Sequence, residues 1–377
     1  MRASGVSGVS YNGGVNEFKG GISGSGSSGG RRARVRELGI QPGVLATGSA
    51  GSITDVPGVL VGQVTLIEGT DVRTGVTVVR PHAGNLYRER VPAGLAVGNG
   101  FGKLIGATQV DELGELETPI VLTNTLAAPR AADALVSWVL RQPGNEAVTS
   151  VNPFVGETND SVLNDIRTPS VQSGHVVEAL ESAGAGPVDE GGVGAGTGTV
   201  CFGHKGGIGT SSRQLPGHLG GYLVGVLVQS NYGGVLQFDG LAIGKQLGGD
   251  SLPAWSSADG SIMIVLATDA PVTDRNLRRL AARCIIGLGR TGSAMSNGSG
   301  DYAVAFSTSA EVRRLRDASH EAGGLSNDRM SPLFLAAIEA TEEAILNSLS
   351  MAEGMSGWNG NHVPALPLEV IGQLLTP

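Results

Sequence analysis

The chain has 377 residues, a formal net charge of −8 and 40% hydrophobic residues, which is enough apolar material for the packed core of one large domain or two ordinary ones. Because the net charge is negative and the body of the chain has no long basic run, the composition argues against nucleic acid as a partner. No run of about 18 apolar residues occurs, so no membrane span is expected.

Residues 1–45 differ in composition from the rest of the chain, because they are rich in Gly and Ser. They include the run from Gly24 to Gly30, and they lack the apolar core of a secretory signal. We predict a flexible arm over residues 1–45 and a single domain over residues 46–377. Two motif matches in the arm, to a hydrolase elbow and to a dinucleotide-binding loop, have no strand-to-helix context and indicate only low complexity.

From Ile53 onward, apolar runs bounded by turn residues predict strands, and apolar positions at helical spacing predict helices. Strands are expected at residues 59–64, 75–79, 94–100, 119–124, 222–229, 262–268 and 302–307. Helices are expected at residues 131–140, 163–167, 175–183, 273–288 and 331–349, and a long glycine-dense loop at residues 191–209. Because strands and helices occur in both halves of this body, we predict a layered α/β fold.

The bond between Gly260 and Ser261, in the segment Asp259-Gly260-Ser261, stands directly before the apolar run 262–268. A serine at the first position of a core strand suits self-cleavage, because its hydroxyl can attack the preceding carbonyl and glycine tolerates the unusual backbone angles of that attack. Hydrolysis of the ester would leave Ser261 as a new N-terminus, whose amine acts as base for its own hydroxyl. Taken alone, the Gly-Ser pair also fits ordinary turn chemistry.

Four further side chains have the chemistry that such a nucleophile needs. Ser299 and Asp301 stand two residues apart at the start of a strand, so they can project the same way and polarise a nearby amine. Asn231, at the end of another strand, can donate an amide N–H to a developing oxyanion. Glu157 could hold a substrate ammonium. Each also fits a structural role, in a polar turn or, for Glu157, at a helix cap.

The sequence does not support metal or cofactor chemistry. None of the six histidines stands in a zinc pattern, and the two cysteines, Cys201 and Cys284, are too few for a disulfide framework. We therefore expect no metal and no cofactor, and a reducing, cytoplasmic location. A Gly-x-Gly-x-x-Gly match at residues 287–292 follows a helix instead of a strand, which argues against a dinucleotide site.

An ordered series of segments between residues 52 and 370 resembles the DmpA-type aminopeptidases, also called L-aminopeptidase/D-esterases, which have the β-peptidyl aminopeptidases as close relatives. Any one segment is a weak signal, whereas the ordered series is highly specific. The segments are residues 53–59 (ITDVPGV), 109–114 (QVDELG), 117–125 (ETPIVLTNT), 194–198 (GAGTG), 205–210 (KGGIGT), 259–261 (DGS) and 289–293 (GRTGS).

The resemblance implies a precursor that cuts itself before its nucleophilic serine, which here gives an α chain of residues 1–260 and a β chain of residues 261–377. It implies an αββα sandwich that is similar to the N-terminal nucleophile hydrolases in layout but different in connectivity. It also implies a homo-oligomer, often a tetramer. Members of the family release N-terminal amino acids from short peptides, amino-acid amides or esters, without metal.

The resemblance assigns roles to the residues named above. By position, Ser261 is similar to the family's nucleophile, Ser299 and Asp301 to the partners of its amine, and Asn231 to the oxyanion donor. Glu157 resembles the residue that binds the substrate amine. The expected reaction is a two-step acyl transfer, in which water resolves an acyl-enzyme.

Two positions depart from the family pattern. The β-peptidyl relatives carry glutamate where this chain has Asp301, and the shorter side chain weakens the expectation of β-peptide activity without abolishing hydrolysis. Val162 occupies a place near the substrate pocket where relatives often have an aromatic residue, which could alter the preferred side chain.

Two other functions stay open at this point. One is acyl transfer to an amine instead of water, as in the ornithine acetyltransferases of related fold, although these cleave before threonine and this chain offers Ser261. The other is a non-enzymatic binding or assembly protein that keeps the fold but never cleaves.

Overall fold

Two β-sheets lie face to face in the computed structural model, which describes residues 31–247, 260–316 and 323–375. Residues 1–30 of the predicted arm, and Asp259 of the predicted cleavage segment, lie outside these described residues. The strands are β1 (Leu60–Glu68), β2 (Val72–Arg80), β3 (Glu89–Gly100), β4 (Glu115–Leu116), β5 (Ile120–Asn124), β6 (Phe154–Thr158), β7 (Val200–Cys201), β8 (His204–Lys205), β9 (Gly207–Gln214), β10 (Leu223–Asn231), β11 (Ser261–Thr268), β12 (Gly300–Ser307), β13 (Arg314–Leu315), β14 (Met355–Ser356) and β15 (His362–Val363).

The helices stand between and after these strands. They are α1 (Ala107–Leu113), α2 (Ala128–Leu140), α3 (Ser173–Glu181), α4 (Ile243–Gln246), α5 (Asp274–Arg290), α6 (Ser331–Ser350) and α7 (Leu368–Leu375). None of the helices in the described part of the chain is both long and apolar enough to cross a membrane.

The two sheets differ in size and in strand order. The smaller sheet has the order β1-β2-β5-β6, with β5 and β6 parallel. The larger sheet has the order β13-β3-β12-β11-β10-β9, with β4 attached to β3. Within it, β11 runs parallel to β12 and antiparallel to β10. Each residue of β11 is buried, which explains why this strand reads as one continuous apolar run.

Three layers of apolar side chains join the sheets and helices. Between the sheets, Leu122 and Phe154 of the smaller sheet belong to the same cluster as Met263, Val265 and Phe306 of the larger sheet. Helices α2 and α3 pack on the outer face of the smaller sheet, and α5 and α6 on the outer face of the larger sheet. The order of layers is therefore helix, sheet, sheet, helix, which confirms the predicted αββα sandwich.

The predicted helix over residues 163–167 is wrong, because this segment is a series of turns. The Leu163 carbonyl, which a continuing helix would use internally, instead accepts the N–H of Trp358 at 2.8 Å. The predicted loop over residues 191–209 is also only partly correct. It contains the short ribbon of β7 and β8, and β9 begins at Gly207.

The part of the predicted arm that the structure describes packs on the body of the protein. Val35 is fully buried within the cluster that includes the residues of α6. The guanidinium of Arg32 donates to the carbonyl of Leu366 at 2.9 Å. Residues 32–45 therefore belong with the folded body.

Candidate active site

Ser261 lies at the first residue of β11, inside the larger sheet, with 7% of its surface exposed. In the sheet register it stands opposite Asn231, the last residue of β10, and Gly300, the first residue of β12. The ends of three neighbouring strands therefore meet at the bond between Gly260 and Ser261.

The hydroxyl of Ser261 lies against the carbonyl of the bond that it is predicted to cut. Its Oγ donates to the carbonyl oxygen of Gly260 at 2.6 Å. The backbone N–H of Gly300 donates to the same carbonyl oxygen at 3.1 Å and also lies 3.3 Å from Oγ. If the hydroxyl turns to attack, the Gly300 N–H stays on the carbonyl oxygen and can stabilise its developing negative charge.

Gly260 is required by a close approach of two backbone segments. A Cβ at this position would lie 2.2 Å from the carbonyl oxygen of Asn231 and 2.5 Å from Cα of Tyr232. Both of these atoms belong to the backbone and cannot rotate away. A glycine therefore allows the scissile bond to lie directly against the end of β10.

Ser299 and Asp301 form a hydrogen-bonded pair on the adjoining strand. The hydroxyl of Ser299 donates to Oδ1 of Asp301 at 2.8 Å, and both side chains are buried. Burial raises the pKa of Asp301 to about 6, and the hydrogen bond from Ser299 partly counteracts this rise. Among the described residues, Oδ2 of Asp301 has no hydrogen-bond partner. In the intact chain, Oγ of Ser261 is hydrogen-bonded to the Gly260 carbonyl and the Gly300 N–H instead of to Ser299 or Asp301.

The raised pKa of Asp301 makes the stability of the uncleaved precursor depend on pH. Its carboxyl stabilises the folded chain when protonated, fully below the ordinary pKa of 3.8, and this contribution is lost as the pH rises through about 6. We expect Asp301→Asn, made in an uncleavable Ser261→Ala chain, to raise the free energy of unfolding at neutral pH by about 1–3 kcal/mol. Near pH 3 the same substitution should have no effect. Urea denaturation at both pH values measures this, and an equal effect at both would contradict the assigned pKa.

The amide of Asn231 is held at both ends. Its Oδ1 accepts the backbone N–H of Val200 at 2.9 Å, and its Nδ2 donates to the carbonyl of Asn159 at 3.0 Å. These contacts fix the amide orientation, because only Nδ2 can donate to a carbonyl. Nδ2 carries a second hydrogen, which can be donated to an oxyanion next to Ser261.

Glu157, in β6 of the smaller sheet, lies near the start of β12 in the larger sheet. Its Oε1 accepts the backbone N–H of Lys103 at 2.8 Å, and its Oε2 accepts the hydroxyl of Thr125. Gly102 lies between Glu157 and β12, since a Cβ on Gly102 would lie 3.3 Å from Oε1 of Glu157 and 3.2 Å from Cα of Gly300. A buried carboxylate therefore stands beside the strand end that adjoins Ser261.

Val162 is placed differently from the other predicted site residues. It lies in the loop that follows β6, with 44% of its surface exposed. Its carbonyl accepts the side-chain N–H of Asn361 at 2.8 Å.

Sequence reasoning missed two parts of this arrangement. The Gly300 N–H is a backbone group, so no residue type could have indicated it. Thr125 stands within a segment that carried the family resemblance, and its position directly after β5 was the available signal. In the described residues, no group of three or more His, Cys, Asp or Glu side chains could hold a metal ion.

All of the candidate site residues described above lie within the region of the chain that one protein-family model matches. The model of peptidase family S58 matches residues 51–363. Among curated proteins, the β-peptidyl aminopeptidase BapA of Sphingosinicella microcystinivorans is 41% identical over 360 residues, which cover 89% of each chain.

Two solved structures are similar over nearly the whole chain. The β-aminopeptidase of a Burkholderia species has a TM-score of 0.85 and 40% identity, covering 91% of this chain and 98% of its own. The L-aminopeptidase D-Ala-esterase/amidase of Ochrobactrum anthropi has a TM-score of 0.82 and 36% identity, covering 90% and 96%. The latter is described as a prototype for the serine aminopeptidases and as a new variant of the Ntn hydrolase fold.

Proposed function

The chain belongs to peptidase family S58 and is an aminopeptidase, and we propose that its nucleophile is Ser261, released as an N-terminal residue when the Gly260–Ser261 bond cleaves itself. One observation carries this proposal: Oγ of Ser261 lies 2.6 Å from the carbonyl oxygen of Gly260. Family membership does not favour the acyltransferase or the non-cleaving scaffold.

Self-cleavage begins with attack of the Ser261 hydroxyl on the carbonyl carbon of Gly260. The Oγ–C bond forms, the C–N bond breaks, and the hydroxyl proton passes to the departing nitrogen. The carbonyl oxygen, negative in the tetrahedral intermediate, stays on the N–H of Gly300, which already donates to it at 3.1 Å. Water then hydrolyses the ester, which leaves an α chain ending at Gly260 and a β chain beginning at Ser261.

In the mature enzyme, the new α-amine of Ser261 takes the proton of its own hydroxyl during attack on a substrate. The carboxyl of Asp301, whose Oδ2 has no partner among the described residues and whose Oδ1 accepts from Ser299, is the group that we assign to the resulting ammonium. The oxyanion of the substrate is assigned to Nδ2 of Asn231. The leaving amine or alcohol takes a proton and departs, and water releases the amino acid from Ser261.

The substrates that fit this site are short peptides, amino-acid amides and esters with a free N-terminus. Glu157 is assigned to the substrate ammonium, because its buried carboxylate stands next to the end of β12. Val162 is assigned to the outer part of the pocket, where its exposed side chain would contact the substrate side chain.

The proposal includes an assembly and a compartment. By resemblance to its family, the mature protein would be a homo-oligomer, with a tetramer of αβ units as the expected form. Its two cysteines, Cys201 and Cys284, are free and buried, which suits a reducing, cytoplasmic environment.

N-terminal sequencing of every band of the purified protein tests the proposal. We expect a fragment that begins Ser-Ile-Met-Ile, which is the sequence from Ser261 onward. An active preparation that holds only the uncleaved chain would contradict the proposal.

Replacement of the oxyanion donor should slow the enzyme without unfolding it. We expect Asn231→Ala to lower kcat by about 10²- to 10³-fold, because one hydrogen bond to the transition state is lost. Steady-state kinetics normalised to the amount of β chain measures this. Wild-type activity in the variant would remove Asn231 from the site.

A further inference from the structure

Two buried ionisable side chains flank the groups that hold Asn231, and neither takes part in the chemistry proposed above. Lys205 stands opposite Val200 in the ribbon of β7 and β8, and it is 0% exposed. Asp160 directly follows Asn159 and is 1% exposed. Buried charges are costly unless they are paired or hydrogen-bonded, so these two side chains call for an explanation.

Lys205 ties together the two backbone segments on either side of the Val200 amide. Its Nζ donates to the carbonyl of Gly196 at 2.8 Å and to that of Gly206 at 2.6 Å. Gly196 precedes Val200 in the chain and Gly206 follows the ribbon. These hydrogen bonds fix the backbone before and after the ribbon, in addition to the bond that the Phe202 N–H donates to the Tyr232 carbonyl at 2.8 Å.

Asp160 contacts the same segment from the other side. A Cβ on Gly198 would lie 2.9 Å from Cβ of Asp160, so the two backbones pack closely. Oδ1 of Asp160 accepts the amide of Asn164 at 3.0 Å, which fixes the loop that carries the Asn159 carbonyl. Burial lowers the pKa of Lys205 to about 7, and the nearby carboxylate of Asp160 partly counteracts that effect, while burial raises the pKa of Asp160 itself to about 6.

We propose that Lys205 and Asp160 are positioning residues that orient the amide of Asn231 toward the oxyanion. Lys205 places the Val200 N–H on Oδ1, and Asp160 places the Asn159 carbonyl on Nδ2. This inference rests on the oxyanion role proposed for Asn231. Its effect belongs to the transition state, because a carbonyl that becomes an oxyanion gains far more from a well-directed donor than the neutral substrate does.

The test is Lys205→Met, which keeps an unbranched apolar side chain that is one atom shorter and removes the charge and the donors. We expect kcat of the matured variant to fall by about 10- to 100-fold with KM within about twofold of wild type, because a misdirected donor loses part of the oxyanion effect. Lys245→Met is the matched control, since Lys245 is exposed in α4, and it should leave both constants unchanged. A matured Lys205→Met enzyme with wild-type kcat, or with a loss confined to KM, would overturn the inference.

A double-mutant cycle with Asn231→Ala separates this inference from the proposed function. If Lys205 acts through Asn231, Lys205→Met should lower kcat by less than about twofold in the Asn231→Ala background. If Lys205→Met lowers kcat as much in that background as in wild type, the positioning role of Lys205 is refuted and the oxyanion role of Asn231 is not. If Asn231→Ala has wild-type kcat, the oxyanion role of Asn231 is refuted. If Lys205→Met gives no folded protein, the same kcat measurements are made with Asp160→Asn in the wild-type and Asn231→Ala backgrounds. Asparagine at position 160 keeps an acceptor for Asn164 and removes the charge.

Discussion

Ser261→Ala should yield one uncleaved chain of full length and no measurable aminopeptidase activity. The substitution removes the only atom that the mechanism uses to cut the Gly260 carbonyl, and without that cut no amine is released to act as base. The fold should persist, because the Gly300 N–H still donates to the Gly260 carbonyl and a single lost hydroxyl bond costs about 1 kcal/mol. A denaturing gel, intact mass and a thermal melt measure these three expectations.

Ser261→Cys is the matched control for this variant, because it retains a nucleophilic atom at the same position of the side chain. It should release a β chain that begins with cysteine, although more slowly than wild type. Appearance of the β chain in Ser261→Ala would mean that another group attacks the Gly260–Ser261 bond, and the assignment of Ser261 would be lost.

Gly260→Ala should slow self-cleavage by about 10²-fold or more, because an added Cβ displaces the scissile bond and misplacement of reacting atoms by about 1 Å has an effect of this size. The new Cβ would lie 2.2 Å from the carbonyl oxygen of Asn231, the last residue of β10, and β10 is held between β9 and β11 in the sheet. The bond must therefore move away from β10, and with it the contact between Oγ of Ser261 and the carbonyl. A time course of precursor conversion after synthesis measures the rate.

Gly174→Ala provides the comparison for this substitution. Gly174 lies in α3, and a Cβ there would meet no atom within 4 Å. This variant should mature at the wild-type rate and gain about 0.5–1 kcal/mol of stability, because alanine loses less conformational entropy in a helix. Equal maturation rates for Gly260→Ala and Gly174→Ala would show that the close approach at Gly260 does not govern cleavage.

Four strands of the larger sheet, β3, β10, β11 and β12, could be predicted from the sequence, as could Ser261 as the candidate nucleophile. The run from Ile262 to Thr268 is continuously apolar because β11 is covered on both faces, and such a run can be recognised without knowing its partners. Ser261 stands out because it begins that run after a glycine. The two-residue spacing of Ser299 and Asp301 likewise predicts side chains on one face, and the structure joins them at 2.8 Å.

Only the tertiary structure decided how these residues meet. The Gly300 N–H lies on the Gly260 carbonyl because of the register between β11 and β12, which depends on the whole sheet and leaves no mark in residue type. Lysine is a residue type that usually lies at the surface. Lys205 is nevertheless fully buried, and the carbonyls of Gly196 and Gly206 accept its hydrogen bonds. Local apolar patterns record only whether a segment is buried, whereas the site depends on contacts between backbone and charged groups that the packing of the two sheets brings together.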